Sequence, residues 1–300
     1  MQSKKELTNE IEIVNTLSDL IKTYEEVYLL KMYRTRNSVL NTREYYTRLL
    51  ALYQSIKNSY KDEILQSINK DNKNKDLSVL TKPKKQVAVF ISGNDRFAGE
   101  VNNKIFKDFI DFYAKNKPDL VIVGSIGKGL MHQRASTIRY QYFELEESFG
   151  VSSSEKLKAI VKYLINYKDV RLFHGEFQNM VTQTAINRSI TGEMGGLTMK
   201  DNNSNSVQKG KYFLFEPSLT KMLKFFETQI FASLFKRGVE EATLAQIGAR
   251  VSSLETSTIS IGKRLKLLKY NYLKTNKREK NSKQQDLLVG INFWESQNVR

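Results

Sequence analysis

The chain has no cysteine, only three prolines, one tryptophan and two histidines among its 300 residues. The absence of cysteine excludes disulfides, thiolate metal sites and a cysteine nucleophile. No stretch approaches the run of about 20 apolar residues that spans a bilayer. The composition therefore predicts a soluble or membrane-peripheral chain without disulfides.

Proline and glycine are concentrated in the middle of the chain. Residues 1–82 contain neither, and no proline follows Pro217. Eleven of the 15 glycines lie in the intervening segment. Because both residue types interrupt helices, we expect three parts: a long N-terminal helix over 1–82, an α/β domain over 83–217 and a long C-terminal helix over 218–300.

Both end segments carry apolar residues at helical spacing. The C-terminal seam, with Thr258 filling one gap, consists of Leu244, Ile247, Val251, Leu254, Ile261, Leu265, Leu268 and Tyr272. Steps of three and four sustained over four heptads are typical of a coiled coil. The N-terminal stripe consists of Leu7, Ile11, Val14, Leu17, Ile21, Tyr24 and Val27. We expect the two helices to pack antiparallel as a coiled-coil rod.

The middle segment alternates short apolar runs with amphipathic stretches. Helices are predicted near 100–115 and over 154–166. Strands are predicted at Gln86–Ser92, Leu120–Gly124, Val170–Phe173 and Lys211–Phe215. This order predicts a Rossmann-like parallel sheet with crossover helices.

Little in the sequence suggests catalysis. The Gly124–Gly129 stretch follows a strand, but it lacks the Walker and G-x-G-x-x-G spacings and is interpreted as a tight strand-to-helix turn. His132 and His174 are isolated in sequence, and no G-x-S-x-G elbow is present. We therefore predict no catalytic residue, no metal site and no bound cofactor.

The net charge of +16 is unevenly distributed. Residues 218–300 carry 15 basic and 7 acidic side chains, and within them Lys263–Lys283 holds nine basic residues against Glu279 alone. Such a field favours an anionic partner, which could be nucleic acid, anionic lipid or an acidic protein surface. A solvated helix face is the alternative on charge alone.

Six short patterns occur in one order along nearly the whole chain. They comprise Lys22, Val27, Lys31, Met32 and Arg34; Gly99, Asn102, Ile105, Phe106 and Lys107; Ile126–Gly129; Phe177, Asn179, Thr182 and Gln183; Phe215–Pro217; and Tyr272, Lys274, Asp286, Leu287, Leu288 and Gly290. In this set and order they resemble the gamma subunit, or central shaft, of F-type rotary ATP synthases. Each match is short, and the resemblance is divergent.

The resemblance implies a non-catalytic rotor shaft. The paired end helices would stand inside a hexameric head of alpha- and beta-like subunits, which bind and hydrolyse ATP. The α/β domain would form the foot, facing an epsilon-like subunit and a membrane rotor ring or its substitute. The implied location is cytoplasmic, at the inner face of the cell membrane.

The resemblance also implies which residues touch the surrounding subunits. These are Lys31, Arg34, Lys263, Arg264, Lys266, Tyr272, Lys274, Asn276, Lys277, Asp286 and Gly290. Where the family has an Arg-Gln pair this chain has Asn276 and Lys277, and Glu25 and Glu26 lie where the family has Met-Lys-Met. These departures, with the excess of Asn, Lys and Tyr, suggest a specialised F-type-like ATPase of an AT-rich bacterium such as a mollicute.

A basic coiled-coil nucleic-acid-binding or scaffold protein is the alternative function. It would account for the charge and the long helices. The sequence disfavours nucleic acid as the partner, because it lacks interleaved aromatic residues that could stack on bases and any known nucleic-acid-recognition motif.

Overall fold

A computed structural model describes residues 3–60, 85–95, 100–145, 154–179, 182–192 and 218–298. Its helices and strands are α1 Lys4–Ser59, β1 Gln86–Ile91, α2 Val101–Asn116, β2 Asp119–Val123, α3 Ser125–Arg134, β3 Gln141–Phe143, α4 Ser154–Leu164, β4 Asp169–Phe177, β5 Gln183–Ser189 and α5 Leu219–Asn298. The predicted strand Lys211–Phe215, the motif Phe215–Pro217 and the predicted domain boundaries near 82 and 217 lie outside the described residues.

The prediction of long end helices around a central α/β domain is confirmed. Helix α1 has 56 residues and α5 has 80. The chain forms two compact units, one of Met1–Tyr28 with Val251–Arg300 and the other of Leu29–Arg250. Each long helix contributes to both units, so this division differs from the three parts expected from the sequence.

The larger unit contains a five-stranded sheet in the order β3-β2-β1-β4-β5. Strand β1 pairs parallel with β2 and β4, and β2 pairs parallel with β3. The predicted parallel pairing is confirmed for β1, β2 and β4, whereas β5, which the sequence did not predict, runs antiparallel to β4. The short connection between them permits a hairpin but is too short for a parallel crossover.

The central strands are buried on both faces. In β1, Val87, Val89 and Ile91 belong to a core shared with α4, α5 and the end of α1. Ala88 and Phe90 belong to a second core, shared with α2 and α3. Burial on both faces explains why β1 and β2 have continuous apolar sequences that could be recognised without alternation.

Helix α5 lies very close to β4 in the larger unit. A Cβ atom at Gly238 would lie 2.6 Å from Leu172 Cδ1, and one at Gly248 would lie 2.7 Å from a Phe177 ring carbon. The pairs advance in the same direction along both elements. The two glycines therefore let the helix pack against the strand at a distance that side chains would prevent.

The smaller unit pairs the start of α1 with the later part of α5. Lys4 Nζ donates to Asn276 Oδ1 at 2.9 Å, and Arg264 forms an ion pair with Glu10. Residue numbers rise on one helix as they fall on the other, so the helices are antiparallel in this unit. Hydrogen bonds from Ser38 to Glu240 and from Tyr53 to Glu227 show the same antiparallel sense in the larger unit.

Part of the predicted N-terminal stripe is wrong. Leu17, Tyr24 and Val27 are 46%, 51% and 43% exposed. The inward positions recur every seven residues, with Leu7 and Tyr28 buried and Val14 and Ile21 half-buried. The predicted stripe averaged about 3.3 residues per step, whereas a two-stranded coil keeps its seam at about 3.5, so the predicted stripe rotated away from the partner helix.

Gly238→Ala should lower the free energy of unfolding by about 1–3 kcal/mol, because the new methyl group would overlap the fully buried Leu172. Gly262→Ala is the matched control on the same helix, since no atom lies within 4 Å of its added Cβ. The control should stabilise its helix by up to about 1 kcal/mol. Urea unfolding followed by circular dichroism measures both, and equal effects would contradict the close packing of α5 on β4.

Candidate functional site

The backbone N–H groups in the glycine-rich turn after β2 donate hydrogen bonds to other atoms of this chain. The backbone N–H of Ser125 donates to Asn94 Oδ1 at 2.9 Å, and that of Gly127 donates to Ser92 Oγ at 2.8 Å. The N–H of Ile126 donates to the carbonyl of Gly93, which lies with Ser92 and Asn94 in the loop after β1. The donors that could hold a phosphate at the start of α3 are thus already used within the fold.

The geometry of the turn explains why its first residue is a glycine. Gly124 has a φ of 99°, a conformation that side chains disfavour. An added Cβ would lie 2.2 Å from the carbonyl oxygen of Ser92. The stretch is therefore the tight strand-to-helix turn that the sequence predicted.

The residues of the middle motif form the β4–β5 hairpin. Asn179 Oδ1 accepts from the N–H of Thr182 at 2.6 Å, and Gln183 Nε2 donates to the carbonyl of Asn179 at 3.1 Å. The ring of Phe177 lies against Gly248 of α5. These four motif residues thus shape a turn and fix it to the long helix.

The structure assigns no contact role to two other motif residues, Gly99 and Asn102. Gly99 lies outside the described residues, and Asn102 is buried on α2. The Oδ1 atom of Asn102 has no hydrogen-bond partner among the described residues.

The buried histidine lies beside α5. His174 Nδ1 is 3.0 Å from the carbonyl oxygen of Gly175, and burial lowers the pKa of the imidazole, which favours its neutral form. Across the described ranges, no group of His, Asp and Glu side chains could hold a metal ion.

A buried carboxylate joins three elements of the larger unit, and sequence reasoning missed it. Glu241 on α5, 5% exposed, accepts from Arg237 Nε at 2.9 Å, Arg43 Nη2 of α1 at 3.1 Å and Arg188 Nη1 of β5 at 3.4 Å. We call these four residues the Glu241 cluster. Its partners lie up to 198 residues apart in sequence, so no local pattern could reveal it.

The charges of the cluster favour the ionised carboxylate. Burial raises the pKa of the Glu241 carboxyl, but the hydrogen bond and charge of Arg237, with Arg43 and Arg188, outweigh it. The pKa is held below its ordinary value. The preceding residue, Glu240, accepts from Ser38 Oγ of α1 at 2.6 Å, which adds a second link to the same helix.

A buried cation lies nine residues after Glu241 on α5. Arg250, 2% exposed, donates from Nη2 to the backbone carbonyl of Asp95 at 2.9 Å. Because Asp95 follows β1, this bond ties the loop at the end of that strand to α5.

The predicted seam residues divide between the two units. Leu244, Ile247, Val251 and Leu268 are buried, and Leu254, Ile261 and Leu265 are half-buried. Leu244 and Ile247 belong to the larger unit, in a part of α5 that is buried on almost every side. The others lie in the smaller unit, on the face of α5 that turns inward.

Two predicted subunit-contact residues contact α1 within this chain. Tyr272 and Asn276 are half-buried; Lys4 Nζ lies 5.7 Å from the centre of the Tyr272 ring and donates to Asn276. Lys31 is half-buried and Arg34 exposed on α1. The remaining predicted contacts are exposed on α5: Lys263, Arg264, Lys266, Lys274, Lys277, Asp286 and Gly290.

The exposed lysines of α5 form what we call the basic surface: Lys263, Lys266, Lys269, Lys274, Lys277, Lys280 and Lys283. Every residue from Lys277 to Gly290 is exposed. Leu287, Leu288 and Val289 are among them, at 60% exposure or more. The described helices include none long and apolar enough to cross a bilayer.

Comparison with known proteins gives one consistent result. A family model described as ATP synthase matches residues 3–280. The chain is 22% identical to an ATP synthase gamma chain of Cytophaga hutchinsonii, covering 91% of this chain and 92% of that one. It is 24% identical to the corresponding chain of Bdellovibrio bacteriovorus, with coverage of 91% and 92%.

Solved structures agree at the level of the fold. A chain from the central stalk and c-ring of Tetrahymena thermophila mitochondrial ATP synthase superposes with a TM-score of 0.53 at 17% identity, covering 79% of this chain and 99% of that chain. A chain of the Euglena gracilis mitochondrial ATP synthase gives 0.50 at 12% identity, covering 87% and 93%.

Acid should weaken the larger unit partly through Glu241. Because the folded pKa is depressed, the ionised carboxylate stabilises the fold above the unfolded pKa of about 4.3, and this contribution is lost as the pH falls below it. The unfolding free energy of the parent should therefore fall more steeply between about pH 5 and pH 3 than that of Glu241→Gln.

Urea unfolding at stepped pH measures this difference. Glu255→Gln, at an exposed position of α5, is the control and should keep the parent's slope. Parallel curves for the parent and Glu241→Gln would show that the Glu241 cluster does not hold an ionised carboxylate.

Proposed function

This chain belongs to the ATP synthase family, and on that premise we propose that it is the gamma-type central shaft of a rotary ATPase. The observation that carries the proposal is the antiparallel pairing of α1 with α5, seen in each unit through polar contacts between residues far apart in sequence. A helix pair of this kind, with an α/β domain inserted between its two helices, is the architecture shared with the Tetrahymena chain.

In the proposed complex the chain is a subunit of an enzyme without a catalytic site of its own. ATP would be bound and hydrolysed by a head of alpha- and beta-like subunits around the helix pair. An asymmetric shaft favours a different conformation in each surrounding subunit, so its angle and their nucleotide states are coupled equilibria. An epsilon-like subunit and a membrane rotor ring, or a substitute for it, complete the proposal, at the cytoplasmic face of the membrane.

The basic surface supports a partner with acidic loops. Its lysines are exposed along one end of α5, and opposite charges at such positions would steer and align the partner while each pair contributes little by itself. Contacts that are individually weak suit a shaft that must move past its neighbours.

The inward contacts refine the list of coupling residues. Tyr272 and Asn276 face Lys4, which supports a role in holding the helix pair together. The exposed Lys263, Lys266 and Lys277 remain the stronger candidates for contact with the head. Glu25 and Glu26, and Asn276-Lys277 in place of the Arg-Gln pair of the family, support a specialised F-type-like ATPase. We propose that its source is an AT-rich bacterium such as a mollicute.

A charge-reversal experiment tests the function. Lys277→Glu with Lys280→Glu should reduce co-purification of two ATPase-like subunits from native lysate, because it reverses charge on the basic surface. Lys107→Glu with Lys115→Glu, at exposed positions of α2, is the matched control and should leave the complex intact.

The readout is the composition of the purified complex, with the parent holding about three copies of each ATPase-like subunit per shaft by the premise of a hexameric head. Recovery of the parent with nucleic acid in place of such subunits, released steeply by salt, would favour the alternative of a basic nucleic-acid-binding protein. Equal recovery of the head by both double variants would contradict the role of the basic surface.

A further inference from the structure

Residues 230–251 of α5 are buried on almost every side. Gly238 and Gly248 select the side of this stretch that packs on β4. Burial alone selects a face of such a helix only weakly, because nearly all of its faces are covered. Directional contacts of the buried charges therefore add to the rotational setting of α5 about its own axis.

We propose that Glu241 is a positioning residue that narrows this rotational setting further than the two glycines do. Its carboxylate is held from α1 by Arg43 and from β5 by Arg188, so any rotation of α5 stretches hydrogen bonds to one or the other. Arg237, one turn earlier on α5, completes the set of donors. The inference that this setting serves rotary coupling rests on the proposed function.

The charges around the carboxylate fit positioning better than added stability. Lys236 lies 3.8 Å from Glu240, and Arg188 lies 3.8 Å from Glu176 of β4, so the neighbouring charges are paired as well. Replacing a buried ion pair by apolar side chains is often neutral for stability. Directional hydrogen bonds, by contrast, specify one arrangement among several of similar packing energy.

For a shaft, that specification has a mechanical consequence. Torque along the helix pair is a twist about the axes of α1 and α5. Within the larger unit, the packing of Gly238 and Gly248 on β4 already resists rotation of α5 against the sheet, and the hydrogen bonds of Glu241 add to that resistance. Glu241 would thereby increase how stiffly the sheet follows the helices.

Distances between spin labels test the positioning directly. The chain has no cysteine, so introduced ones are the only labelling sites. Two doubly labelled full-length proteins share Lys224→Cys on α5; one pairs it with Asn41→Cys on α1 and the other with Lys107→Cys on α2. All three positions are exposed and belong to the larger unit.

Glu241→Gln should broaden both distance distributions, because the neutral amide loses the charge that holds both arginines. Arg43→Gln should broaden the α1–α5 distribution and leave the α2–α5 distribution unchanged; its side chain is 52% exposed, so its loss leaves no buried void. Glu255→Gln is the control. Unchanged distributions in both cluster variants would overturn the proposal.

Rotation of the assembled complex tests the mechanical part. With the head immobilised and a bead attached through Lys107→Cys, Glu241→Gln should increase the angular variance of the bead while the ATP turnover stays at the parent's value. Broadened label distances with an unchanged variance would overturn the role in coupling. Absence of any rotation in the parent would instead contradict the proposed function. In that case the spin-label distances alone would test whether Glu241 positions α5.

Discussion

The burial of α5 between α1 and the sheet is the constraint on which the larger unit depends. Helix α5 packs against one face of the sheet and pairs with α1. It also contacts the β4–β5 hairpin through Gly248 and Phe177. Gly238 and Gly248 make this possible because they remove the side chains that would hold the helix away from β4. The close fit explains why a chain with only four glycines after residue 217 keeps two of them here.

Close apolar packing explains adhesion, and the buried charges explain specificity. Glu241 and Arg250 lie on the same helix, and each binds a different element: Glu241 binds α1 and β5, and Arg250 binds the loop after β1. Replacing such desolvated ion pairs by apolar side chains is often neutral for stability, but the pairs discriminate between arrangements of equal burial. In the smaller unit, the contacts from Lys4 to Asn276 and from Arg264 to Glu10 join side chains that are at least partly exposed.

Much of the fold could be predicted from the sequence, for reasons visible in particular residues. The scarcity of proline and glycine located both long helices, and the runs in β1 and β2 were recognisable because both faces of those strands are buried. Strand β5 was missed because its sequence is polar and half-exposed, and Leu17 was misplaced because a period slightly too short drifts over several turns. The candidate contacts on α5 followed from motif spacing and charge. The Glu241 cluster could not be predicted, since its members meet only after folding.

We propose above all that the helix pair acts as a shaft inside a ring of ATPase-like subunits. Electron cryomicroscopy of the complex purified from its native source through this chain measures that arrangement directly. We expect a six-membered ring with the paired α1 and α5 on its axis, in orientations that differ relative to the three pairs of surrounding subunits. Particles in which this chain lies outside any ring, or is bound along nucleic acid, would contradict it.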